Sequence, residues 1–261
     1  MNGFQRKIGG EGKQESIVHE VAAICVLAGK ILLQNGAETF RVEDTMNRIA
    51  RNFSVNEAQS FVTPTGIIFS IEDTDITQLV RITARGTDLR KVTLVNSLSR
   101  QIAEGELGIK EVHQKLKEID QSHVSFPGWM QILAAAIASS CFLLMFLGQW
   151  QDMLPAFIAG GAGQAGTIYF HRLTRVKFFS EFISSIFIGI IALMTVKMGW
   201  GLDLNKIIFG AVMPLVPGVP ITNAVRDLMA GDLMSGLSKF AESALTAFAI
   251  GIGISFAMTL G

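Results

Sequence analysis

Cysteine is nearly absent from this sequence: Cys25 and Cys141 stand far apart, with no CxxC pair and no metal-ligand spacing. A disulfide framework is excluded, and both residues read as ordinary buried thiols. Net charge is lacking as well. The 22 Lys and Arg residues balance 22 Asp and Glu residues, so no basic field invites nucleic acid. The four histidines, His19, His113, His123 and His171, are scattered and form no HExxH. There is no Walker lysine pattern and no GxSxG elbow, which leaves an ATP-driven pump or a serine hydrolase without support. No catalytic residue, metal or cofactor is expected. The opening MNGFQRKIGGEGKQE lacks the apolar core of a signal peptide and reads as a disordered leader, residues 1–15.

What is present is distributed unevenly. Charge concentrates in the first half, and apolar runs longer than about 18 residues follow Pro127. The expected architecture is a soluble mixed α+β cytoplasmic domain, residues 16–126, followed by an all-α membrane domain of about five transmembrane helices, residues 127–261. In the first domain Val21, Ile24, Ala28, Ile31 and Leu32 recur at helical spacing, and Asn35-Gly36 supplies a stop. A second helix starts near Glu38, with Val42, Met46, Ile49 and Phe53 as its buried stripe. Asp44 and Arg48 stand four apart in the favourable order and support its surface. Residues 59–71 are rich in Phe, Val, Thr and Ile but interrupted by Pro64 and Gly66, which predicts two strands or one bent edge strand. Leu79 to Ala84 reads as another strand. Two helices follow, the first capped by Asp88 or Thr87.

In the second half spans are expected at about 128–147, 153–170, 178–196, 207 onward and 233–260. His171, Arg172, Arg175 and Lys177 concentrate positive charge between the second and third, which places that loop and the amino-terminal domain on the cytoplasmic side. Gly161, Gly163 and Gly166 satisfy GxGxxG, but inside a span small residues serve close helix packing. Lys239 and Glu242 are three apart and read as neutralising one another.

Proline is scarce, yet three of the six prolines, Pro214, Pro217 and Pro220, interrupt a hydrophobic run. Each removes a backbone donor, and Gly218 loosens the chain, so no helix runs through unbroken. Thr222, Asn223, Arg226 and Asp227 fall on one arc of the helix that resumes. Two readings stay open: a turn between two spans with solvated charges, or a discontinuous helix whose polar residues line a transport path.

Leu33-Gln34-Asn35-Gly36-Ala37-Glu38-Thr39, with Arg41-Val42-Glu43 and Arg48-Ile49-Ala50, resembles the amino-terminal signature of the threonine/serine exporter family. Phe61 through Ile67, Pro217-Gly218-Val219-Pro220, Asn223, Arg226-Asp227 and Gly231-Asp232 resemble its later motifs, in order. The resemblance implies a multi-pass exporter in the cell membrane, moving threonine and serine or a small dicarboxylate such as succinate, driven by an ion gradient. Fused members continue into further membrane helices, whereas this sequence stops at Gly261, so a split system with a separate second membrane chain is implied. On this reading Arg226, through its planar guanidinium fork, and Asn223 meet a substrate carboxylate. Asp227 or Asp232 orients them or binds an amino group, and Pro217, Gly218, Pro220 and Thr222 shape the path. Asn35, Gly36, Glu38, Thr39, Arg41 and Glu43 form either a capped helix junction or a cytoplasmic gate. The competing hypothesis is a membrane-anchored cytoplasmic enzyme or ligand-sensing domain.

Overall fold

A computed structural model of the chain describes residues 2–72, 74–122, 126–174 and 176–260, with side chains from Ser16 onward. The side chains of the expected leader, His123 and Arg175 lie outside the described residues. The described residues form two compact units, Met1–His123 with Val219–Phe240, and Val124–Gly218 with Ala241–Gly261.

The first unit opens with α1 (Asn2–Gln34) and α2 (Thr39–Asn52), joined through Gly36. Gly36 has φ +90°, a left-handed conformation that favours glycine and ends α1. Asn35 donates its side-chain amide to the Ile31 carbonyl at 2.7 Å, closing the last turn. Three antiparallel strands follow, β1 (Ala58–Thr63), β2 (Gly66–Ile71) and β3 (Thr77–Arg81), in the order β1-β2-β3. Pro64 and Thr65 form the turn that divides the first two, so the interrupted run is a hairpin. Register places Val62, Ile67 and Val80 side by side on the inner face, and Phe61, Ile68 and Leu79 on the outer one. Helices α3 (Leu89–Ala103) and α4 (Ile109–Gln121) complete the layer. Asp88, rather than Thr87, caps α3, accepting from the backbone of Arg90 and Lys91. The core joins Ile24, Ile31 and Leu32 of α1 with Met46 and Ile49 of α2, Ile67 and Phe69 of β2, and Leu116 of α4.

The second unit contains α5 (Gly128–Met145), α6 (Met153–Thr174), α7 (Lys177–Lys197), α8 (Leu204–Val212) and the distal part of α10 (Leu233–Thr259). Its core is Leu143, Ala156, Ala159, Ile188, Ala192, Ile207 and neighbours. Glycines set the helix spacing. A Cβ on Gly160 would lie 1.9 Å from Ser139 Oγ, and one on Gly163 would lie 2.5 Å from Ile188 Cδ1. The glycines of the GxGxxG pattern therefore lie within a membrane-type helix bundle, where small residues let backbones approach. At one end, the buried Asp152 accepts from the backbone N–H of Leu202 at 2.6 Å and of Asp203 at 3.4 Å.

The expectation of a substantial soluble α+β domain ahead of an all-α membrane domain is corrected by this structure. Among the described residues strands are confined to 58–81, and the chain is 74% helical. The first helix is itself membrane-compatible: Ser16–Gln34, 19 residues, joins Gly128–Met145, Lys177–Lys197 and Leu233–Thr259 as helices long and apolar enough to cross a bilayer. A fifth span arises if the broken pair Leu204–Leu215 and Gly218–Ala230 counts as one. The expected span at 153–170 is a continuous helix, but its glycines and polar residues keep it below that apolarity. The helical stripe of α1 reads equally well as the buried side of a soluble helix, and periodicity alone does not separate the two.

Candidate functional site

Within the first unit the Gly36–Glu43 segment meets α9 (Gly218–Ala230) and the start of α10. Helix α2 begins at Thr39, and Glu38 at its cap position makes no side-chain capping bond. The orphan donors are met from a distance in sequence. Asp227 Oδ1 accepts from the Thr39 backbone N–H at 2.9 Å, and Oδ2 accepts from the Thr39 hydroxyl at 3.0 Å. A carboxylate at a helix amino terminus is stabilised by the unpaired N–H groups and the helix dipole. Asp227 is fully buried, and Lys239 Nζ completes its shell at 2.6 Å while also donating to Thr39 Oγ1 at 2.9 Å.

One turn earlier on α9, Asn223 Nδ2 donates to the Gly36 carbonyl at 2.8 Å. Arg226 pairs with the buried Glu38 through Oε1, and Arg41 Nε binds the other oxygen, so two guanidinium groups hold one carboxylate. Arg226 and Arg41 remain largely exposed beyond that contact. Asn223, Arg226 and Asp227 thus project from one arc of α9 onto the Gly36–Thr39 turn.

Two further carboxylates complete the cluster. Glu43 accepts from the Val62 N–H at 2.8 Å, tying α2 to β1. Burial pushes its carboxyl above the ordinary range; the Val62 hydrogen bond opposes this, while Asp232 and Asp227 add to it. Burial and the Asp227 charge raise Asp232 likewise, against the pull of Lys239, and Asp232 Oδ2 is a buried atom with no hydrogen-bond partner. The folded state therefore holds these two protons more tightly than the unfolded chain does. Stability contributed by them is complete below the ordinary carboxylate range and is lost as pH rises toward the raised folded values. Thermal unfolding in detergent should accordingly show a midpoint that falls with rising pH over that window, and Asp232→Asn should flatten the fall. An unchanged slope in that variant would contradict the assignment.

Of the residues singled out in the sequence, Gly36, Glu38, Thr39, Arg41, Asn223, Arg226 and Asp227 are brought together. Glu43 and Asp232 stand close enough to feel Asp227. Asn35 instead closes α1, Thr222 lies on the exposed side of α9, and Pro220 sits in its first turn. Pro217 immediately precedes α9 and Gly218 is its first residue, and both belong to the other unit. Lys239 is the member that sequence reading misplaced. Its close partner is Asp227, whereas Glu242 faces Lys177 at 3.7 Å. A lysine on the same arm as two helix-flanking aspartates was the available signal.

The model of the family described as "Putative threonine/serine exporter" matches residues 23–261. Over 245 residues the chain is 26% identical to the "Probable succinate transporter subunit YjjP" of Klebsiella aerogenes, covering 92% of this chain and 93% of that protein. The protein of the same description from Escherichia coli is 25% identical over 249 residues, with 92% and 94% covered. The "Probable threonine/serine exporter" of Mycobacterium tuberculosis is 19% identical over 239 residues, with 90% of this chain but 45% of that protein covered. No solved structure gives a significant match. The chain belongs to the threonine/serine exporter family, and it is a membrane exporter subunit.

Proposed function

We propose that the chain exports a small polar acid or amino acid, threonine, serine or a dicarboxylate such as succinate, together with a second membrane subunit. The observation that carries this is the junction of the Gly36–Thr39 turn with Asn223, Arg226 and Asp227 inside one compact unit. Glu38 occupies Arg226 as a substrate carboxylate would. In the proposed cycle the substrate displaces Glu38 from Arg226, with Asn223 beside it. Asp232, whose Oδ2 is unpartnered, takes an amino group when the substrate has one. Asp227 and Lys239 hold the α2 terminus against α9, so that loss of Glu38 from Arg226 is felt at the gate formed by Asn35 to Glu43. Pro217, Gly218, Pro220 and Thr222 form the flexible entry to α9. The amino-terminal residues face the cytoplasm, in keeping with Arg172 and Lys177 at the ends of α6 and α7. The relatives named as transporter subunits support a second chain. No catalytic step is assigned.

Efflux of labelled threonine, serine and succinate from cells producing this chain, with and without the candidate second chain at verified membrane levels, tests the reading. Efflux that requires both is expected. No efflux of any of the three in either case would overturn it.

A further inference from the structure

Helices α2 and α3 flank a cleft of about 560 Å³ whose lining includes Arg41, Asp44, Arg48, Asn96 and Arg100. Three arginines and one aspartate line it, and Arg41 is also bound to Glu38. Asp44 neutralises little, since it is mostly exposed and stands 4.0 Å from Arg48, the limit of an ion pair. Arg48 is fixed in place by its bond from Nη2 to Ser99 Oγ at 2.9 Å, and its buried Nε has no acceptor. Arg100 lies exposed at the rim, and no ion pair to it is found among the described residues. The cleft thus combines more arginines than carboxylates, an exposed guanidinium at Arg100 and room for a small molecule.

We propose that this cleft is a binding site for a small multivalent oxyanion, a molecule with two or more carboxylate or phosphate groups. Guanidinium groups match this class because each offers paired N–H donors to two oxygens of one anionic group, and three of them favour an anion with more than one such group. A zwitterionic amino acid, with an ammonium of its own, is disfavoured by the same charges. The site stands apart from Asn223 and Arg226, but Arg41 belongs to both surroundings through Glu38. Occupancy would draw Arg41 from Glu38 and loosen the clamp, which makes the cleft a sensor of anion level acting on the turn that α9 contacts.

The test is equilibrium binding and thermal shift on the purified full chain in detergent, at low and high salt, with succinate, pyrophosphate and threonine as probes. Saturable binding by succinate or pyrophosphate is expected, weakening with salt, with no comparable response to threonine. Binding of succinate alone would identify carboxylates as the source, and of pyrophosphate alone phosphates. Arg100→Gln, at an exposed position, should leave the unliganded melting temperature unchanged and weaken binding about tenfold or more, the scale of one charged hydrogen bond. Arg48→Gln should weaken binding likewise, with a lower unliganded melting temperature because its bond to the buried Ser99 is lost. Absence of saturable binding by both anions, equal binding of threonine, or wild-type affinity in both variants would overturn the site. Because no transport is measured, failure of the export reading leaves this result interpretable.

Discussion

Replacing Lys239 by Met is expected to destabilise the first unit by about 3–5 kcal/mol, the cost of leaving one member of a buried ion pair without its partner. Asp227 is fully buried and the Lys239 side chain is only 12% exposed, so water cannot take the lost partner's place. The loss should propagate to α2, because the same carboxylate satisfies the Thr39 N–H and hydroxyl. Adding Asp227→Asn to Lys239→Met removes the orphaned charge while keeping an acceptor for Thr39, and should recover a large part of the stability. Chemical unfolding in detergent micelles of the single and double variants measures both effects. A double variant less stable than Lys239→Met would show that Asp227 is not held chiefly by the lysine.

The second large effect lies in the other unit. A Cβ added to Gly253 would sit 2.0 Å from Ser185 Oγ and 2.5 Å from the Phe182 carbonyl oxygen. The hydroxyl can rotate away, but the carbonyl belongs to the α7 backbone, so the two helices must separate. Overpacking of this kind costs about 1–3 kcal/mol, and here contact along the whole α7–α10 seam is at stake. Gly253→Ala should lower the melting temperature in detergent and reduce the amount of chain in the membrane. Gly251→Ala, two residues away with nothing within 4 Å of the new methyl group, should behave as wild type. Equal behaviour of the two variants would remove the close-packing explanation.

The sequence made the local features legible. Pro64 divided a β-rich run into a hairpin, Asp88 capped α3, and Asn35-Gly36 ended α1, because each acts through its own backbone neighbours. The two motif groups around Glu38 and Arg226 are nameable from the sequence as well, and they supply the residues that meet at the candidate site. Their pairing is not nameable in that way. The bonds from Thr39 to Asp227 and from Arg226 to Glu38 span 188 residues, and no spacing rule reaches that far. Glu43 belongs to the segment readable as a helix junction or a gate, and only the fold reveals that it also receives the Val62 N–H. Spacing pairs Lys239 with Glu242, one helical turn away, while the fold gives it a close partner on α9, Asp227. The misjudged architecture has a similar cause. An apolar stripe in α1 is compatible with a soluble core and with a bilayer, and the soluble reading let the charged helices around it decide.

The most direct test of the transport assignment is efflux of labelled succinate and threonine through Arg226→Lys beside the wild-type chain, each with the second membrane chain and matched for membrane abundance. Lysine keeps the charge but loses the planar fork that holds a carboxylate through two hydrogen bonds. A severe loss of efflux with normal insertion and abundance is expected. Wild-type efflux by Arg226→Lys would contradict the transport assignment.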